Sequence, residues 1–247
     1  MYELYWSPAT GAFVVEAVLE ELGLAYERVS TITGQGEHRR PEYVAMNPLQ
    51  QIPSLVLPDG TVMTETAAII MHLCDCRPEA ELLPEPGTSE RARAYRWLVL
   101  LAVNFYEADL RFYYPDRYTA DPNGLEGVKR SAVQRMDRLL EVIEKALEPG
   151  PWLLGERFSA VDLYLFMLAL WHPARQALLD EYPQLAALMR RVRQRPSVER
   201  IWRGHYPDDG EQWFVVAWDL ERQAERHFMM SRMSAVEKDT DQSLPWR

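Results

Sequence analysis

A proline- and glutamate-rich stretch from Arg77 to Ser89 separates two halves with different hydrophobic periodicities, and this switch limits the fold more than any other feature of the chain. Before it, short strand-like and helix-like runs alternate. Glu3-Leu4-Tyr5-Trp6 reads as a strand, and Val14, Val15, Val18, Leu19 and Leu22 fall on one face of a helix from about Gly11 to Leu22. Gly23 stands where a helix stops in the left-handed conformation, and Tyr26 to Ser30 reads as a second strand, which completes a βαβ opening. Thr33 to Arg40 is polar with two glycines, predicting a mobile, solvent-facing loop or an irregular short helix. Ile52 to Leu57, the Pro58-Asp59-Gly60 turn and Thr61-Val62-Met63 have the pattern of a hairpin, so the sheet is expected to be mixed. A helix from Thr64 to Leu73 follows, with Ala67, Ile70, Met71 and Cys74 placed to pack inward.

After the stretch the periodicity is helical throughout. Helices are predicted at about Glu90 to Tyr114, Leu125 to Leu147, Ala160 to Leu170 and Pro183 to Arg193, with breaks at Asp121-Pro122-Asn123-Gly124 and Pro149-Gly150-Pro151. With no strand-like alternation between them, they should form a bundle. Ser159-Ala160-Val161-Asp162 is a capping-box variant that fixes the start of a buried helix. These readings divide the chain into an α/β domain over 1–80, an all-helical domain over 88–204 and an extension over 205–247. The extension carries Trp213, Phe214, Trp218, Phe228 and several methionines, too apolar for a free tail, and is expected to pack on the helical domain.

Composition removes several function classes. A formal charge of −10, from 27 basic and 37 acidic residues, leaves no basic stripe, so no nucleic-acid partner is expected. No apolar run approaches the roughly 18 residues that span a bilayer, and Met1 to Trp6 shows neither a basic leader nor a cleavage site, so no membrane association is expected and the location is expected to be cytoplasmic. The 2 cysteines, Cys74 and Cys76, diverge by about 200° around a helix, which argues against a disulfide and for buried or half-buried thiols. No Cys or His cluster has ligand spacing, so no metal is expected.

The chemistry concentrates in Tyr5-Trp6-Ser7-Pro8-Ala9-Thr10-Gly11, a strand, tight loop and helix N-terminus with the spacing of a Cys-Pro-x-Cys motif but hydroxyls in place of both thiols. Such a loop lies where a thioredoxin-like fold keeps its reactive group. Dithiol redox chemistry is excluded, and what remains is a pair of hydroxyls beside unsatisfied N–H groups and a positive helix dipole, an environment that favours a thiolate. On the loop alone, simple helix capping by Ser7 and Thr10 is the better-supported role.

Asn47-Pro48-Leu49-Gln50-Gln51-Ile52-Pro53-Ser54-Leu55 makes the pattern specific, because it resembles the segment before the third strand of cytosolic glutathione transferases. Met63-Thr64-Glu65-Thr66-Ala67-Ala68-Ile69 is similar to that family's Glu-Ser signature, with threonine for serine, and Trp152 to Leu163 is similar to its buried capping-box helix. The resemblance covers roughly residues 3 to 200 and implies a thioredoxin-like N-terminal domain with a mixed sheet, an all-α C-terminal bundle and glutathione as co-substrate. It implies a cis bond before Pro53, so that the backbone of Ile52 pairs with the cysteinyl backbone of glutathione. It also implies that Thr66 receives the γ-glutamyl carboxylate, that Glu65 holds the ammonium group, and that Gln51 and His38 join the glutathione site. The bacterial cysteine position is Gly11 here, which disfavours a mixed-disulfide mechanism; Ser7 is the first choice for activating the thiol and Thr10 the second.

The second substrate is expected to be a hydrophobic electrophile, held between the domains by Trp6 and by Asn104, Phe105, Tyr106, Asp109, Phe112, Tyr113 and Tyr114 of one long helix. The same rings would equally pack within a bundle. A homodimer is implied by the resemblance. Two rival functions share the first half: a non-catalytic binding or regulatory protein, and a specialised glutathione-dependent lyase, dehalogenase or isomerase.

Overall fold

The computed structural model describes residues 1–207, 214–219 and 224–229, which fall in two compact units, Met1–Ile201 and Trp202–Arg247. The first unit opens with β1 (Tyr2–Trp6), α1 (Ala12–Glu21) and β2 (Tyr26–Ser30), and Gly23 ends the helix region at φ +61° as its position suggests. After α2 (Pro41–Met46), β3 (Ser54–Val56) and β4 (Val62–Met63) complete a sheet of order β2-β1-β3-β4. β1 runs parallel to β2 and antiparallel to β3, and β3 is antiparallel to β4, so the sheet is mixed as expected. The third strand is shorter than the sequence indicates, beginning at Ser54 because Pro53 has no N–H for the ladder.

Helix α1 is sealed from Ala12 to Leu19 and packs against α3 (Thr66–Asp75) and α7 (Ala160–Trp171), with the rings of Phe13 and Phe166 5.9 Å apart. Within it Glu16 is fully buried, with one cation, Arg28, and two neutral donors on its carboxylate. Its carboxylate accepts from Trp6 Nε1 (3.1 Å), Tyr26 Oη (2.7 Å) and the Arg28 guanidinium, which ties β1 and the edge strand β2 to the helix.

The helical half contains α4 (Ser89–Leu100), a π-helical segment over Leu101–Tyr106, α5 (Glu107–Tyr113), α6 (Leu125–Leu147), α7, α8 (Arg175–Glu181), α9 (Pro183–Arg193) and α10 (Pro196–His205). The predicted helix from Glu90 to Tyr114 is thus continuous but carries a wide turn in its middle. Helix α7 is buried on every side from Ala160 to Ala169 and begins at the expected capping box. The Asp162 carboxylate accepts from Ser159 N–H (2.8 Å), Ser159 Oγ (3.0 Å) and Leu153 N–H (2.9 Å). In the second unit, β5 (Phe214–Asp219) and β6 (Ala224–Met229) form an antiparallel pair, a strand element absent from the sequence reading. The expected packing of Trp213 and of the side chains of Phe214, Trp218 and Phe228 falls outside the described residues.

Glu21 at the end of α1 clasps the start of α10 and the residue before it. It accepts from Arg195 Nε (2.5 Å), Arg195 Nη2 (2.8 Å) and Ser197 Oγ (2.5 Å). Burial raises its pKa, but the Arg195 and Ser197 hydrogen bonds and the charges of Arg195 and Arg200 outweigh this and leave it below the ordinary value. A carboxyl depressed on folding adds stability above its unfolded pKa of about 4.3, and that stability is lost as pH falls through the folded value. Glu21→Gln should therefore lower stability at pH 7 by about 2 kcal/mol, with the thermal-melting curves of mutant and wild type converging as pH falls through the depressed folded value.

Candidate active site

The loop leaving β1 turns sharply through Ala9, at φ +51°, and enters α1 with Gly11 as its cap residue. Ser7 is fully buried; its Oγ accepts from Thr33 N–H (3.2 Å) and lies 3.2 Å from Thr33 Oγ1. Thr10 is half-buried, donates its hydroxyl to Ser7 C=O (2.7 Å) and accepts from Ala12 N–H (3.3 Å). The two hydroxyls thus differ: one is sealed against the next loop, and the other belongs to a half-buried residue and accepts from the first turn of the helix.

The Ile52–Pro53 peptide is cis. A closed hydrogen-bond network holds the chain before it. Gln51 C=O accepts from Tyr43 Oη (2.5 Å) and Asn47 Nδ2 (2.9 Å), while Ser54 Oγ is 2.8 Å from Tyr43 Oη and accepts from Asn47 Nδ2 (3.2 Å). Since the Tyr43 proton goes to Gln51, the Ser54 hydroxyl donates to Tyr43, and every polar atom of the group is used. Glu65, exposed and at φ +64°, ψ +103°, precedes α3, whose first residue, Thr66, is buried.

These pieces meet at Gly11. A Cβ added there would lie 2.9 Å from Pro53 Cδ, 2.9 Å from Tyr106 Oη and 3.0 Å from Thr66 Oγ1. Only glycine lets the first turn of α1, the cis-proline, the start of α3 and the end of the π-helical segment approach this closely. The junction joins an anion-favouring helix terminus, the cis-proline after Ile52 and hydroxyls from Thr66 and Tyr106.

The remaining candidate residues are dispersed. Trp6 is committed to Glu16, with the Arg28 guanidinium 5.1 Å above its ring. His38 lies on the short 3-10 turn Glu37–Arg39; burial, Arg39 and Arg117 lower its pKa, which keeps it neutral at pH 7. That turn and Thr33–Gln35 give the predicted loop a defined path, braced by Glu37 accepting from Ile32 N–H (2.6 Å). Asn104 accepts from Arg135 of α6, and Phe105 is fully buried in the bundle. Tyr113 donates to Trp171 C=O (2.5 Å), Phe112 packs edge-on to Tyr113, and Tyr114 lies under Arg117. Asp109 is 1% exposed with neither carboxylate oxygen paired among the described residues. Sequence reasoning missed Gly11, Thr33, Tyr43, Trp171 and the anchoring role of Asn47; only Gly11, a small residue opening a helix, carried a local signal.

Cys74 is buried, its thiol pushed up to about 12 by burial, and Cys76 is exposed. Among the described residues no group of His, Cys, Asp and Glu is arranged to hold a metal, and no helix is long and apolar enough to cross a membrane.

Residues 12–76 match the family model of the glutathione S-transferase N-terminal domain and 102–196 that of the C-terminal domain. The glutathione S-transferase GstA of Escherichia coli O157:H7 is 28% identical over 198 residues, 80% of this chain and 95% of that protein. The uncharacterized GST-like protein YncG of Escherichia coli K12 is 30% identical over 202 residues, 81% of this chain and 97% of that one. A glutathione transferase homologue from Sulfitobacter, solved with bound glutathione, superposes with a TM-score of 0.76 at 28% identity, covering 83% of this chain and 98% of its own. Both family domains are matched in order, and the cis-proline and the Glu65-Thr66 helix start lie in the first of them: the chain belongs to the glutathione S-transferase family.

Proposed function

We propose that this protein is a glutathione transferase that binds glutathione at the Gly11 junction and ionises its thiol for attack on a hydrophobic electrophile. The convergence of the α1 N-terminus, Pro53, Thr66 and Tyr106 on one glycine carries the reading. Ile52 pairs with the cysteinyl backbone, Thr66 takes the γ-glutamyl carboxylate at the start of α3, Glu65 holds the ammonium group, and Gln51 and His38 complete the site. The domains divide as 1–80 and 88–204, and the co-substrate lies between them against Tyr106. Exposed Val99 and Val103, 50% and 58% accessible and one helical turn apart, suit the proposed homodimer. The setting is the cytoplasm.

Thiolate supply sets the rate. Lowering a thiol pKa of about 8.5 by two units raises the thiolate fraction at pH 7 roughly thirtyfold. The first-turn N–H groups of α1 and one loop hydroxyl provide this. Ser7 has the stronger sequence claim, but its burial against Thr33 favours Thr10, which reaches the cleft and releases its proton from Ser7 C=O to the sulfur. Thr10→Val should then reduce turnover about 10- to 100-fold, the worth of a hydrogen bond to a charged group, with glutathione affinity changed much less. Ser7→Ala reducing turnover while Thr10→Val does not would return the role to Ser7.

Isothermal titration with glutathione, followed by a chlorodinitrobenzene conjugation assay across pH 6 to 8, tests the whole reading. Binding with turnover is the expected result. Binding without turnover would favour a regulator or a specialised lyase, and no binding at millimolar glutathione would defeat it.

A further inference from the structure

Tyr43 is the buried residue of α2, a helix of 6 residues, too short to hold its place by its own hydrogen bonds. Its ring forms a cluster with Ala12, at the start of α1, and with Ile52, and Tyr5, Trp6 and Met46 pack against that cluster. The hydroxyl reaches the residues on either side of the Ile52–Pro53 pair. It donates to Gln51 C=O (2.5 Å) and accepts from Ser54 Oγ (2.8 Å). Burial raises its pKa, so the phenol keeps the proton it donates through the range in which a thiol ionises.

A peptide carbonyl has two acceptor positions, and both on Gln51 are filled, since Asn47 Nδ2 supplies the second donor (2.9 Å). The Gln51 carbonyl and the Ile52 N–H belong to one planar trans peptide and point in opposite directions. Two donors holding the carbonyl oxygen therefore fix where the Ile52 N–H points on the other side. A peptide so held does not rotate without breaking both bonds. The same bonds draw electron density to the Gln51 oxygen and make the N–H of the shared plane a stronger donor. Tyr43 itself is 4% exposed and presents almost no surface to a ligand, so its effect passes through the backbone.

We infer that Tyr43 is a positioning residue for glutathione: with Asn47 it locks the Gln51–Ile52 peptide, and the lock aims the Ile52 N–H at the cysteinyl backbone of the tripeptide. The inference rests on the reading that Ile52 receives that backbone. A strand-like hydrogen bond to the cysteinyl unit is made equally before and during attack by the sulfur, so it lowers the glutathione concentration required and leaves the chemical step alone. Loss of the lock frees the peptide plane, and glutathione then has to order it on binding. The signature is a rise in KM for glutathione at constant kcat.

Steady-state kinetics with glutathione and chlorodinitrobenzene, together with calorimetric titration with glutathione, compare wild type with Tyr43→Phe, Asn47→Ser and Ser54→Ala. Tyr43→Phe keeps the ring and removes one of the two donors on Gln51, and it should raise KM and Kd for glutathione about tenfold. Its kcat at saturating glutathione should stay within about twofold of wild type, as should KM for chlorodinitrobenzene. Asn47→Ser keeps an acceptor near Leu49 N–H but is too short to reach Gln51, so it should give the same split and decides the matter should Tyr43→Phe fold poorly. Ser54→Ala breaks the network on its other side and leaves both donors on Gln51, so it should lower the melting temperature with KM for glutathione changed less than about threefold. A rise in KM for Ser54→Ala equal to that for Tyr43→Phe, a melting loss in Tyr43→Phe with KM unchanged, or a fall in kcat in place of a rise in KM would each overturn the inference. Wild type that fails to bind glutathione would defeat it together with the transferase reading; wild type and Tyr43→Phe binding glutathione equally well would defeat the inference alone.

Discussion

Glu65→Gly is expected to weaken glutathione binding about 10- to 100-fold while leaving the protein at least as heat-resistant as wild type. Glu65 is held at φ +64°, ψ +103°, a conformation that a residue with a Cβ enters at a cost of about 1–2 kcal/mol. Glycine removes that strain, offset in part by its greater freedom in the unfolded chain, about 0.5–1 kcal/mol. The lost carboxylate accounts for the affinity, since a hydrogen bond to a charged group is worth about 1.5–3 kcal/mol. Glu65→Ala provides the control: it loses the carboxylate but keeps the strain, so it should melt below the glycine variant at similar affinity. Titration calorimetry and thermal melting on the three proteins read both effects, and equal stability of the two variants would show that the backbone here is unstrained.

The second large effect is on stability. Asp162→Ala should cost about 3–5 kcal/mol, because it strands the N–H groups of Ser159 and Leu153 and the Ser159 hydroxyl in the bundle core. For a chain of this size that is a fall of roughly 10 °C or more in melting temperature. Asp162→Asn should fall between, since its amide accepts on one side only and repels a donor on the other. A drop of under about 3 °C for the alanine variant would mean that water replaces the carboxylate.

What was legible in the sequence and what was not follow a physical division. Helices α6 and α9 were found at their observed limits because their apolar stripes are long and self-sufficient. The mixed sheet, the Gly23 stop and the Ser159-Asp162 start were legible because each rests on a few neighbouring residues. Helices α2 and α8, of 6 and 7 residues, were not, since helices so short are held by tertiary contacts and not by their own periodicity. The site shows the same division. Pro53 and Glu65-Thr66 are visible as local motifs, but the burial of Ser7 depends on Thr33, 26 residues away, and the fixing of Gln51 depends on Tyr43 across a turn. Nor does any local feature of Leu101–Tyr106 announce a wide turn, and this stretch lies against α6 and α7, far from it in sequence.

That wide turn couples chain length to chemistry. A π-helical turn takes up about one residue more than an α turn, so every side chain after it is advanced by about 100° relative to the face that α4 began. Loss of a single codon within 101–106 would restore α geometry and rotate Tyr106, Asp109 and Tyr113 away together, with each of those side chains intact. Gain or loss of one residue here re-aims the whole edge that carries Tyr106, Asp109 and Tyr113 in one mutational event, where substitutions would have to rebuild it position by position.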